Sequence, residues 1–282
     1  MDREPGQWRE ARRRQRNRRV TASVLAVFLS VSAFFFYEAD KWKIQETTVV
    51  PKAVKVVEKP EPTRTPEEKK MDRIYRNASR YPEDLLPALK RNPEILDFAA
   101  DYLTAEPEAK GGISHKESRQ KAPLFIQWDA RWGYVPYGKS NIGISGCGPT
   151  CLSMVLYSLT RDKSLTPDFM AKRAMEEGYY VEGEGTSWLF MSDICRDYGV
   201  KVSQFSYINI EEIEKELDAD KLIICAMGTG DFTDAGHFIV IRGHYGSQLV
   251  INDPFSRRNS SKTWDYNRIA SQIQKCWVYE KE

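Results

Sequence analysis

An apolar stripe at helical spacing follows Cys147. Leu152, Val155, Leu156 and Leu159 recur at i, i+3, i+4 and i+7, the spacing of one buried helix face. The residues feeding this stripe are Gly146-Cys147-Gly148-Pro149-Thr150-Cys151, with a proline two residues after Cys147. A proline suits a first helical turn, where its missing N–H costs nothing. The pattern therefore predicts a helix entered at Cys147. Further on the apolar positions become continuous, as in Ala235-Gly236-His237-Phe238-Ile239-Val240-Ile241-Arg242-Gly243 and Gln248-Leu249-Val250-Ile251-Asn252-Asp253-Pro254. With the turn His244-Tyr245-Gly246-Ser247 between them, these runs predict an antiparallel hairpin. His237 would open one strand and Asp253 would close the other.

The same reading supplies the remaining elements. Leu124 to Gln127 reads as a strand, Thr166-Pro167 as a helix start running toward Gly178, and Ser187 to Tyr198 as a helix closed by Gly199. Val200 to Tyr207 alternates as a strand, Ile210 to Leu217 is a short helix, and Leu222 to Ala226 is a continuous apolar strand. A final helix over Tyr266 to Gln274 leads to a closing strand, Cys276 to Tyr279. A helix bearing Cys147, packed on an antiparallel sheet, is an α+β architecture. Ahead of it, residues 67–104 carry helical patterning, with Pro82 and Pro93 at helix starts and Asn92 as a cap. Residues 105–122 are polar, contain Gly111-Gly112 and read as a loop in which His115 is solvated.

The N-terminal quarter is different in kind. Val20 to Tyr37 carries no charge and is mostly apolar; its eighteen residues would span about 27 Å as a helix, close to a bilayer core. Residues 1–19 hold eight Arg against Asp2, Glu4 and Glu10. That basic cluster predicts a single-pass signal anchor over 20–37, with the N-terminus cytoplasmic and the rest extracytoplasmic. A cleaved signal peptide, cut near Val31-Ser32-Ala33, is the alternative. Residues 38–66, with Pro51, Pro60, Pro62 and Pro66, read as an extended linker. With the overall charge at +2, the part beyond residue 19 is slightly acidic, which gives no basis for nucleic-acid binding.

The candidate chemistry centres on one sulfur. A thiol at a helix start meets unpaired N–H groups and the positive end of the helix dipole, which favour thiolate. An imidazole beside a carboxylate is what such a thiol needs as base and orienting group, so Cys147, His237 and Asp253 form a candidate triad. Asn252 could take the third role, and His244 competes with His237. Five cysteines, Cys147, Cys151, Cys195, Cys225 and Cys276, are too few and too irregular for a disulfide framework. No CxxC or paired-His motif points to zinc, and no cofactor is expected. Gly228-Thr229-Gly230-Asp231 lacks the pattern of a phosphate loop. Gly143 to Cys147 fails GxSxG, and Glu182 with Glu184 reads as solvated loop.

Taken in order, Ile126-Gln127-Trp128-Asp129-Ala130-Arg131-Trp132-Gly133, Gly146-Cys147-Gly148-Pro149-Thr150, Gly185-Thr186-Ser187-Trp188, Gly236-His237-Phe238 and Asn252-Asp253-Pro254 resemble the C39-like group of bacterial, papain-like cysteine peptidases. The resemblance spans about 123–278, within a domain expected over 122–282. It implies Cys147 as nucleophile, His237 as base, Asp253 as orienting carboxylate, and Gln127 as oxyanion donor beside the Cys147 N–H, with Asn141 as fallback. Gln127 lies farther ahead of the cysteine than papain relatives keep it. Nothing here resembles the transporter fused to bacteriocin-processing relatives, so cleavage of double-glycine leaders is not implied. The expected partners are a peptide, protein or cell-wall peptide and, through residues 20–37, the membrane. An inactive binding or scaffolding module on the same fold is the alternative. Residues 67–104 resemble an extension ahead of C39-like domains in Gram-positive proteins, which would be either a packing collar or an inhibitory prosegment.

Overall fold

A proline that reads as the end of a linker starts a helix instead. Pro66 is the first residue of α1 (Pro66–Arg76). Thr65 caps it: the hydroxyl accepts from the Glu68 N–H at 3.1 Å, and the Glu68 carboxylate accepts from the Thr65 N–H at 2.8 Å. The computed structural model describes residues 64–282. The basic segment 1–19, the expected span 20–37 and nearly all of the linker lie outside the described residues. Among the described residues no helix is long and apolar enough to cross a membrane.

Two further helices, α2 (Leu85–Arg91) and α3 (Leu96–Asp101), complete the N-terminal extension. Between them Asn92 caps the 3-10 turn Pro93–Ile95, its side-chain oxygen accepting from the Glu94 N–H at 3.1 Å. Pro82 precedes α2 by three residues and does not open it. The polar stretch 105–122 holds one helical turn, His115–Ser118, and His115 is exposed.

The expected strand at Leu124–Gln127 does not form. Phe125 and Ile126 are buried, but the segment lies between packed layers. Its tie to the sheet region is the Gln127 N–H to the Pro254 carbonyl at 2.8 Å, and a proline has no N–H to continue a ladder. Short hairpins follow, β1 (Pro136–Tyr137) with β2 (Ser140–Asn141), and later β3 (Tyr180–Val181) with β4 (Gly185–Thr186). Helices α4 (Ile142–Ser145), α5 (Cys147–Thr160) and α6 (Pro167–Glu176) come between, and α7 (Ile210–Asp218) lies downstream. The expected helix Ser187–Tyr198 breaks into Phe190–Asp193 and a 3-10 turn, Cys195–Tyr198. There the Tyr279 hydroxyl donates to the Met191 carbonyl at 2.7 Å, occupying the acceptor a continuous helix would use. Gly199, with φ of 64°, then ends the segment in the left-handed conformation.

The main sheet contains β5 (Val200–Gln204), β6 (Leu222–Met227), β7 (His237–Tyr245), β8 (Gln248–Asn252), β9 (Thr263–Asp265) and β10 (Ile273–Lys281). Its order is β5-β10-β6-β7-β8-β9, with every neighbouring pair antiparallel. The closing strand starts three residues earlier than expected, because the helix before it stops at Ile269. Period-2 alternation divides β6 between two cores. Leu222, Ile224 and Ala226 face the core containing Leu152, Val155 and Leu156 of α5. Ile223, Cys225 and Met227 face the core of Ile213 and Leu217 from α7. Burial on both faces explains why β6 reads as an unbroken apolar run. Each buried Leu or Ile contributes about 1.5–3 kcal/mol. A third core joins the extension, through Ile74, Leu85, Leu89 and Phe98, to Ile126, Trp128 and Phe255.

Candidate active site

Cys147 is the first residue of α5, where the backbone N–H groups have no partners within the helix. The glycine after it is dictated by space. A Cβ on Gly148 would stand 2.6 Å from Thr186 Oγ1, so only glycine lets the helix start approach β4. Burial works to raise the Cys147 pKa, but the hydrogen bond and charge of His237 outweigh it. N–H groups of Phe238 and Gly148 help, and the thiol ends below its usual range.

His237 opens β7 and Asp253 follows the last residue of β8, as the hairpin pattern indicates. His237 Nε2 and Asp253 Oδ1 are 2.8 Å apart, which leaves Nδ1 as the ring nitrogen available to sulfur. Burial favours the neutral ring. The Asp253 carboxylate and the Cys147 sulfur favour the charged form more strongly, and the His237 pKa is pushed up to about 10. Each group thus shifts the other toward its charged form.

Asp253 is 1% exposed, and its carboxylate is held on all sides. Oδ1 accepts from the Phe255 N–H at 2.9 Å as well as facing His237, and Oδ2 accepts from Asn259 Nδ2 at 2.8 Å. The Asp253 N–H donates to Ser260 Oγ at 2.8 Å. Asn259 and Ser260 belong to α8 (Arg257–Ser260). No sequence motif singled out Asn259; a polar residue six positions after a candidate carboxylate is the only signal present.

The competing candidates sit elsewhere. Asn252 accepts from Arg242 Nε at 2.8 Å and donates to the Pro123 carbonyl at 3.1 Å, turned away from the imidazole. His244 pairs with Asp218 at 3.0 Å beside the β7–β8 turn. Trp128 and Trp132 are buried packing residues, bonded to the carbonyls of Phe255 and Ile126 at 2.8 Å each. Glu182 pairs with Lys139 on the surface, and Asp231 with Arg268.

Gln127 is buried, with its side chain against the turn that leads into Cys147. Its Nε2 donates to the carbonyls of Gly143 and Ile144 at 3.1 Å each, and its Oε1 has no partner among the described residues. Asn141 caps α4 through Oδ1, which accepts from the Ile144 N–H at 3.0 Å. Its buried Nδ2 is likewise unpartnered among the described residues. Both amides thus border the loop that presents the sulfur, and one of them carries an uncommitted donor.

The other four cysteines are buried. Burial raises the Cys151, Cys195 and Cys225 thiols, Cys195 to about 12. The Cys225 and Cys276 sulfurs face each other at 3.0 Å across the β6–β10 ladder, a pairing that sequence spacing could not indicate. Among the described residues no group of three His, Cys, Asp or Glu side chains could hold a metal ion.

The chain is similar to several known proteins. Among solved structures, the peptidase domain of Streptococcus ComA, a bifunctional ABC transporter, aligns at 18% identity and a TM-score of 0.37, over 49% of this chain and 93% of that one. A double-glycine-motif protease from an AMS/PCAT transporter, solved with its leader peptide, aligns at 18% identity and a TM-score of 0.38, over 61% and 98%. A C39-like peptidase from Bacillus anthracis aligns at 14% identity and a TM-score of 0.35, over 61% and 99%. No curated protein matched the chain. The sequence profile of the Peptidase C39-like family matches residues 119–282, more than half the chain and all of the region that carries Cys147, His237 and Asp253. The chain belongs to the Peptidase C39-like family.

Proposed function

We propose that this chain is a cysteine hydrolase that cleaves an amide bond in a peptide, a protein or a cell-wall peptide. The observation that carries the reading is His237, bonded to Asp253 at 2.8 Å on one ring nitrogen and lowering the Cys147 pKa from the other side. In the mechanism, His237 Nδ1 holds the proton taken from Cys147, and the thiolate attacks the amide carbonyl carbon. The oxyanion that forms is stabilised by the Cys147 N–H at the helix entrance. Gln127 supplies the side-chain donor by exchanging one carbonyl partner for the oxyanion, with Asn141 Nδ2 as the alternative. His237 then returns the proton to the leaving amine, and water, deprotonated by the same ring, hydrolyses the thioester. Asp253 stays ionised and fixes the ring.

We further propose that the hydrolase works outside the cell, tethered by residues 20–37; their lack of charge and the preceding arginines support this topology. Pelleting of the full chain with membranes, lost on replacing 20–37 by a polar segment, is the expected result.

Alkylation tests the chemistry. Near neutral pH, iodoacetamide should modify wild type rapidly and at Cys147, and His237→Ala at least about 10-fold more slowly. Equal rates would remove the activated thiol and leave the family fold as a binding module. A peptide library and isolated peptidoglycan, screened for products that vanish in Cys147→Ala, would then name the substrate.

A further inference from the structure

The helical extension is wired to the carboxylate of the triad. Its third core packs on Phe255, and Asn92 Nδ2 donates to the Phe255 carbonyl at 2.6 Å, sharing that oxygen with Trp128 Nε1. Beyond it, Glu94 reaches the start of α8. Oε1 accepts from the Ser256 hydroxyl at 2.7 Å and the Arg258 N–H at 3.2 Å, and Oε2 accepts from the Arg257 N–H at 3.0 Å. These backbone donors open α8 and have no partners inside it. The opposite side of α8 delivers Asn259 Nδ2 to Asp253 Oδ2, and Ser260 Oγ to the Asp253 N–H. A continuous chain of contacts thus runs from Glu94 through α8 to Asp253, to His237 and to Cys147.

The extension also touches the sulfur's own side of the site. Phe98 of α3 lies so close to Gly143 that a Cβ there would stand 2.3 Å from the ring, and Gly143 is in the turn feeding Cys147. One element therefore braces both halves of the dyad from the outside of the domain.

We propose that Glu94 is a positioning residue of the active site: by fixing α8 it holds Asp253, and so His237, in register with Cys147. This rests on the hydrolase reading of the site, and it makes the extension a working part of the catalytic unit instead of an inhibitory segment. A four-residue helix is too short to hold its own geometry, since a single turn leaves most of its end groups unpaired. The carboxylate of Glu94 supplies the missing acceptors.

The test is the pH dependence of Cys147 alkylation by iodoacetamide in the full chain, at a temperature where circular dichroism is native for each variant. Glu94→Ala should move the acid-side midpoint up by about one pH unit, a tenfold loss of thiolate below it. Asn259→Ala should move it in the same direction, and Glu94→Asp should recover part of the shift. If Glu94→Ala does not fold, Glu94→Gln, of the same shape but with one acceptor fewer and no charge, carries the test with the same two outcomes. A profile for the Glu94 variant superimposable on wild type overturns the proposal. Wild type and His237→Ala reacting alike would instead overturn the hydrolase reading itself, so the comparison of those two tells the failures apart.

Discussion

Two sulfur environments in this molecule, one half-buried and one fully buried, shift their thiols in opposite directions. At the entrance of α5, Cys147 sits beside His237 and free N–H groups, and its pKa falls. In the centre of the sheet, Cys225 faces Cys276 among Ile and Val side chains, and the Cys225 pKa rises well above normal. Burial alone silences a thiol, because a thiolate without a partner loses its hydration. A lowered thiol pKa therefore needs a partner delivered by another element, and here that element is β7.

The comparison is broken most severely by weakening that delivery. In Asp253→Asn the ring loses its carboxylate, and turnover on whatever amide substrate is found should fall by about 10²–10⁴-fold. The same variant should lower the His237 pKa, since that carboxylate is what raises it against burial. The sign follows for wild type. Under the proposed mechanism, the productive pair should form once pH exceeds the lowered thiol pKa and be lost as pH rises through the His237 value of about 10. A rate–pH profile should therefore rise through the lowered thiol pKa and fall on an alkaline limb, and Asp253→Asn should pull that limb to lower pH.

Gln127→Ala sharpens the picture at an intermediate scale. Removal of an oxyanion donor should lower kcat by about 10²-fold with little change in KM. If Asn141 holds the oxyanion instead, that loss moves to Asn141→Ala. The smallest effect belongs to the second sulfur environment. Cys225→Ala should leave turnover and Cys147 alkylation unchanged and cost about 1 kcal/mol of stability, read as a few degrees in Tm.

Much of this site was legible in the chain because its two halves are local. A proline placed after Cys147 marks a helix start, and an apolar run ending in Asn252-Asp253-Pro254 marks a strand end. His237 and Asp253 then meet because a hairpin with a short turn brings its outer ends together. The misses have a common cause. Leu124–Gln127 has strand-like composition, but its hydrogen-bonding partners are set by Pro254, more than a hundred residues away. The helix expected over Ser187–Tyr198 is interrupted by a hydroxyl from β10. Glu94 and Asn259 make their contacts around α8, a single helical turn that no periodicity encodes, so these contacts are visible only in three dimensions.

The division of β6 between two cores has a consequence for the neighbouring strand. If β6 slipped by a single position against β7, every side chain on it would change layers. The α5 core and the α7 core would both be mispacked at once, so the wrong alignment is penalised on each face of the sheet. Since β7 pairs with β6 along its length, the imidazole at its tip inherits an axial position guarded by apolar packing on two sides of the sheet.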